Sequence, residues 1–203
     1  MLGNPPYFPV QFLGVIIIEM NRDGVIFVLK AEEPMEQEKP PSAEDTAKWE
    51  YIKKADERSG KLKGTQASEL DVAQWVYGEP LKVAGLKGSV LVLHFWTSDT
   101  SRDEKTIGFI NMLQKVYGDK GVMFIGIAKP SGELDKLREY IKRNVEYTTA
   151  IDKQTDIPGA SGVTFDKYAI FHTPTFVVID KDGVIRDIVP DFLLEERIQE
   201  FLR

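Results

Sequence analysis

The chain has 203 residues, of which 42% are apolar and 29% charged, and a net charge of −6. That is enough apolar content for a folded core, so wholesale disorder is excluded. With no cysteine, disulfides and thiolate-bound zinc or iron–sulfur centres are excluded as well, and the lack of a basic block excludes an ordinary nucleic-acid face.

Residues 1–11 are rich in proline and aromatics, have no period and read as irregular. Two β-branched runs around Asp23-Gly24 predict a β-hairpin over about residues 12–29. A lone hairpin is marginal in water. It therefore needs a partner surface, which can be the edge of a larger sheet, a helix, or a second copy in a homodimer. The run Phe12 to Ile18 is short, ends at Glu19 and follows no basic stretch, so neither a signal peptide nor an integral membrane segment is expected.

The acidic, proline-containing stretch Ala31 to Pro41 suits a linker. Ser42 to Asp45 open a helix over about residues 43–58, with a modest apolar stripe of Ala47, Tyr51 and Ala55 and with Trp49 as its anchor. Lys- and Gly-rich residues 60–67 then connect to the main domain. The expected division is an extension, 1–66, and a domain, 67–203.

Val90 to Trp96 is a continuous apolar run rich in β-branched and aromatic residues, which predicts a buried strand. Thr97 to Ser101 form a polar elbow. Thr100 and Ser101 are good N-cap residues with Asp103 and Glu104 three positions on, which is capping-box spacing. Ile107, Ile110, Leu113 and Tyr117 recur at helical spacing behind them. Next come a buried strand over 121–128 and a helix over about 132–144. An extended piece over 147–151 follows, then a polar loop over 152–164 that is long enough to carry function and a short helix over 165–169. Residues 175–179 and 184–189 predict a hairpin, and a closing helix starts at Pro190-Asp191 with Leu194, Ile198 and Phe201 inward. Strands alternating with helices favour parallel pairing.

The strand, elbow and helix at Phe95-Trp96-Thr97-Ser98-Asp99-Thr100-Ser101-Arg102-Asp103 resemble those of the thioredoxin superfamily, and in particular its TlpA/ResA-like branch. Phe171-His172-Thr173-Pro174-Thr175-Phe176 resembles that family's second landmark. The resemblance covers about residues 67–203, where Val72 to Leu81 resembles the N-terminal strands and Leu86 to Val90 the entry to the central strand. It implies a thioredoxin-like α/β fold with a central mixed sheet flanked by helices. It also implies a cis bond before Pro174. The family's two cysteine positions fall on Thr100 and Asp103. Peroxiredoxins share the fold, but the cysteine of their Pro-x-x-x-Thr-x-x-Cys pattern is missing here too. Relatives are commonly exported or membrane-anchored, which leaves the location of this chain open.

Thiol–disulfide exchange needs a thiolate, so the expectation is the scaffold without its redox chemistry. The expected role is a protein- or peptide-binding module. Its groove would involve Trp96, Thr100, Ser101, Arg102, His172, Thr173 and Pro174. Thr100 and Asp103 also have a purely structural reading as a helix cap. His94 lies where relatives carry a buried acid beneath the elbow. The alternative is non-thiol chemistry in a cluster of Thr100, His94 and Asp103, or a metal held by these residues with Asp99 and His172. No tight ligand spacing supports the metal, and neither a metal nor a cofactor is expected.

Overall fold

The structure, a computed structural model, describes residues 18–21, 24–27 and 43–202. The chain forms two compact units, Met1–Pro40 and Pro41–Arg203. In the first, β1 (Ile18–Asn21) pairs antiparallel with β2 (Gly24–Phe27), Ile18 opposite Phe27 and Asn21 opposite Gly24. These strands form a two-stranded sheet of their own. The remainder of the expected 12–29 hairpin and the 31–41 linker lie outside the described residues.

In the second unit α1 (Ala43–Leu62) is followed by β3 (Val72–Tyr77), β4 (Val90–Trp96), α2 (Ser101–Tyr117), β5 (Val122–Ala128) and α3 (Leu134–Asn144). Then come β6 (Thr148–Asp152), α4 (Val163–Lys167), β7 (Thr175–Ile179), β8 (Ile185–Val189) and α5 (Asp191–Leu202). The six-stranded sheet has the order β3-β6-β5-β4-β7-β8. Only β4–β5 and β5–β6 are parallel, and the other pairs run antiparallel. The alternation of strands and helices therefore predicts the middle of the sheet but not its edges, where β3 and the β7–β8 hairpin pair antiparallel.

β4 is central and buried along its whole length. Because side chains alternate across a strand, Val90, Val92 and Trp96 pack with Ile107, Ile110 and Leu113 of α2, Ile141 of α3 and Ile198 of α5. Leu91, Leu93 and Phe95 face the other side, against Ile127, Phe165 and Tyr168. A large apolar side chain gains about 1.5–3 kcal/mol on full burial, so both faces fix the height at which β4 ends and the elbow begins.

Within this unit α1 is seated through Tyr51 and Ala55, which are buried against Ala169. The Arg58 guanidinium donates to the Asp166 carboxylate at 2.8 Å and to its carbonyl at 2.5 Å. The side chain of Trp49 lies outside the described residues. Ala169 has φ +54, a conformation that favours glycine. It ends α4 with bonds from its own N–H to the Asp166 carbonyl and from Ile170 N–H to the Phe165 carbonyl, a Schellman arrangement. Its methyl group fills the seat of α1.

Candidate functional site

The elbow starts where β4 runs out. Thr100 is extended (φ −129, ψ 141) and caps α2, its hydroxyl accepting from Asp103 N–H at 3.2 Å. Asp103 is fully buried. One of its oxygens accepts from Thr97 N–H at 3.2 Å. The other takes the Thr100 hydroxyl and, at 3.4 Å, the hydroxyl of Thr173. Thr173 precedes Pro174, and the bond between them is cis. A single carboxylate thus joins the elbow, the first turn of α2 and the turn before β7. The two positions that carry cysteines in the resembled family are linked here by a hydroxyl–carboxylate hydrogen bond. Thr97 and Asp99 close the rim, the Thr97 hydroxyl donating to the Asp99 carboxylate at 2.8 Å.

The expected groove residues divide by exposure. Thr100, Ser101, Arg102 and His172 are exposed and Thr173 is half-buried, whereas Trp96 and Pro174 are buried. Trp96 cannot touch a partner directly. Its ring lies beneath the elbow, 6.0 Å from the Tyr140 ring and 6.4 Å from the His94 ring. Arg102 reaches across to Asp191 at the start of α5, 3.2 Å away. Partial burial, and then the charge of Arg102, lower the His172 pKa.

His94 does not join Thr100 and Asp103. Its Nδ1 is 2.8 Å from the Tyr147 hydroxyl, and its ring stacks on Phe176 at 4.7 Å. Its Nε2 has no partner among the described residues. Burial pushes its pKa down to about 3. The expected Thr–His–Asp cluster is therefore not formed. Strand alternation points His94 into the helix-covered core, while the oxygens of Asp103 are taken by hydroxyls and an N–H. Among the described residues no group of three or more His, Asp or Glu side chains is arranged to hold a metal.

Sequence reasoning missed three features. Tyr147, the partner of His94, enters from just before β6, 53 residues away, and carries no local signal. A cleft of about 340 Å³ between the elbow and the start of α3 is lined by Asp99, Ser131, Glu133, Lys136 and Tyr140. A second, of about 370 Å³, lies between α2 and α5 and includes Phe109 and Phe192. For Phe192 a signal existed, because it is out of phase with the inward Leu194 and Ile198.

The sequence profile of the Redoxin family matches residues 63–192. The thiol-disulfide oxidoreductase ResA of Bacillus cereus (strain ZK / E33L) is 28% identical over 127 residues, 62% of this chain and 69% of ResA. ResA of Halalkalibacterium halodurans is 25% identical over 146 residues, 72% of this chain and 78% of that protein. Among solved structures, a thiol-disulfide isomerase from Corynebacterium glutamicum superposes with a TM-score of 0.57 at 22% identity, covering 68% of this chain and 96% of that one. The thioredoxin domain of a thiol-disulfide oxidoreductase from Bacteroides vulgatus superposes with a TM-score of 0.57 at 17% identity, covering 70% and 98%. These likenesses carry the fold alone. The family profile spans well over half of the chain and includes both the elbow and the Thr173–Pro174 turn: the chain belongs to the Redoxin family, on a thioredoxin-like fold, without a cysteine.

Proposed function

We propose that this chain is a redox-inactive member of its family that acts as a binding or scaffold module for proteins or peptides. The observation that carries this reading is the Thr100–Asp103 hydrogen bond at the two cysteine positions. No thiolate can form there, so disulfide exchange has no nucleophile. The exposed surface around Thr100, Ser101, Arg102, His172 and Thr173 is the groove, with Trp96 and Pro174 supporting it from below. The Thr173 backbone offers an extended chain a place to pair by strand addition.

Two measurements test the reading together. Insulin reduction by the purified chain with dithiothreitol should run at the rate of dithiothreitol alone, and turnover above that rate would end the redox-inactive reading. Selection of extended peptides by display should enrich binders that His172→Trp rejects. No enrichment, or binders indifferent to that substitution, would end the groove. The extension, residues 1–66, is read as an appendage to the 67–203 domain, with its hairpin as a dimer contact. Light scattering on a chain lacking residues 1–40 tests this, because an unchanged oligomeric state rejects it.

A further inference from the structure

The face of α2 turned away from the sheet carries a second apolar stripe. Lys105, Phe109, Met112 and Val116 are spaced four, three and four residues apart, so they lie on one line along the helix. Met112 is 47% exposed and Val116 42%. At the head of the stripe α5 contributes Phe192, 78% exposed. Leu194 and Ile198 are the buried residues of α5, and Phe192 lies on the opposite side. Ile107, Ile110 and Leu113 are the buried apolar residues that α2 gives to the core, and Phe109 packs against it partly buried, whereas Met112 and Val116 stand in solvent. A contiguous apolar surface of this kind marks an interaction site, unlike scattered single residues.

Charge says what kind of partner fits. Arg102 and Lys105 line the same cleft as Phe109 and Phe192. Arg102 is answered by Asp191, which lines the cleft as well, so Lys105 is the cation there without an ion-pair partner among the described residues. Glu195, the nearest acid further along α5, is engaged by the Tyr117 hydroxyl at 2.7 Å. On a chain of net charge −6 this sets one unpaired cation, Lys105, beside an apolar floor. A second copy of the same face would set cation against cation. A lipid surface asks for a broad cationic face, which two residues do not make. Both walls of the cleft are helices with no free strand edge, and the stripe from Lys105 to Val116 is about 16 Å long at 1.5 Å per residue, about three helical turns.

From these observations we infer that the α2–α5 face receives an amphipathic helix of a partner protein. Its apolar side sits on Phe109, Met112, Val116 and Phe192, and a carboxylate sits over Lys105. This is helix-in-groove recognition, and it goes beyond the peptide groove at the elbow, since it holds whether or not that groove binds an extended chain.

The test titrates the isotope-labelled full chain with a designed helical peptide of about three to four turns, leucine on one face and glutamate on its flanks. Controls are the same peptide with lysine for glutamate and vesicles of phosphatidylserine and phosphatidylcholine. The expected result is saturable binding of the glutamate peptide alone, with NMR shift changes confined to residues 102–116 and 191–192. Phe192→Ser and Lys105→Glu should each weaken it by about tenfold or more. Phe192→Ser removes an exposed ring, so its circular dichroism should match the parent. His172→Trp should leave binding unchanged, which separates this face from the elbow groove. Equal binding of the lysine peptide, shifts centred on 172–174, no saturable binding, binding to vesicles instead, or self-association occupying these residues would each overturn the inference.

Discussion

Replacing Asp103 with alanine should cost the fold about 3 kcal/mol. The carboxylate is fully buried and accepts from Thr97 N–H and from the hydroxyls of Thr100 and Thr173. Truncation leaves Thr97 N–H, itself nearly buried, without an acceptor, at about 1–3 kcal/mol for one unpaired buried donor. The helix cap loses its reciprocal partner, at about 1 kcal/mol. The bond to Thr173 is long and adds little. Thr100→Val removes the cap together with the hydroxyl's bond to the Asp103 carboxylate and should cost about 1 kcal/mol. Because the two side chains share one interaction, the double variant should be more stable than the sum of the singles predicts, by about 1 kcal/mol. Urea denaturation of the four proteins, read by tryptophan fluorescence and fitted with a common slope, gives the cycle. A cost for Asp103→Ala below about 1 kcal/mol, or strict additivity, would refute the claim that this carboxylate holds the elbow.

Two further outcomes follow from buried polar groups. The His94 pKa lies near 3 in the folded protein against about 6.5 in an unfolded chain, so its neutral form is the one that the fold accommodates. The unfolded state takes up the proton first as pH falls, and the stability contributed by His94 is present above about pH 6.5 and lost below it. Between pH 6.5 and 5 the loss should be about 1.5 kcal/mol. Urea curves of wild type and His94→Leu should diverge by that amount over this range, whereas parallel pH profiles would contradict the buried neutral imidazole. Gly162→Ala should cost about 2 kcal/mol, because a Cβ there would overlap the Asp152 carboxylate. That carboxylate accepts from Thr164 N–H at 3.1 Å and Phe165 N–H at 3.0 Å and so opens α4. Thermal melting within about 1 °C of wild type would show that the carboxylate moves aside freely.

Much of the domain was legible because local signals agree with the final packing. The apolar run at Val90–Trp96, the Thr100/Asp103 spacing and the period of Ile107, Ile110 and Leu113 each point to one strand, one cap and one buried helix face. What was not legible depends on contacts distant in sequence. Asp103 was expected to partner the Thr100 cap, or His94 in a cluster, yet its second oxygen reaches Thr173, 70 residues away. His94 read as a neighbour of the elbow because relatives carry a buried acid at that place. Strand alternation instead turns it toward Phe176 and Tyr147, neither of which is local. Trp96 looked like groove lining because it borders the elbow, but the same alternation buries it under Tyr140. The 152–164 loop hid two elements, since Asp152 ends β6 and its side chain starts α4. The helix expected over 43–58 runs on to Leu62, with Tyr51 and Ala55 of its modest stripe set against the left-handed Ala169.

The proposed loss of redox chemistry rests on the missing sulfur at Thr100 and Asp103. Its most direct test is insulin reduction with dithiothreitol by wild type and by the double variant Thr100→Cys/Asp103→Cys. The first cysteine would stand at the N-cap of α2, where the helix terminus lowers a thiol pKa. The account predicts no turnover by wild type above the dithiothreitol rate and clear turnover by the double variant. Turnover by wild type, or a folded double variant that neither closes a 100–103 disulfide nor reduces insulin, would contradict it.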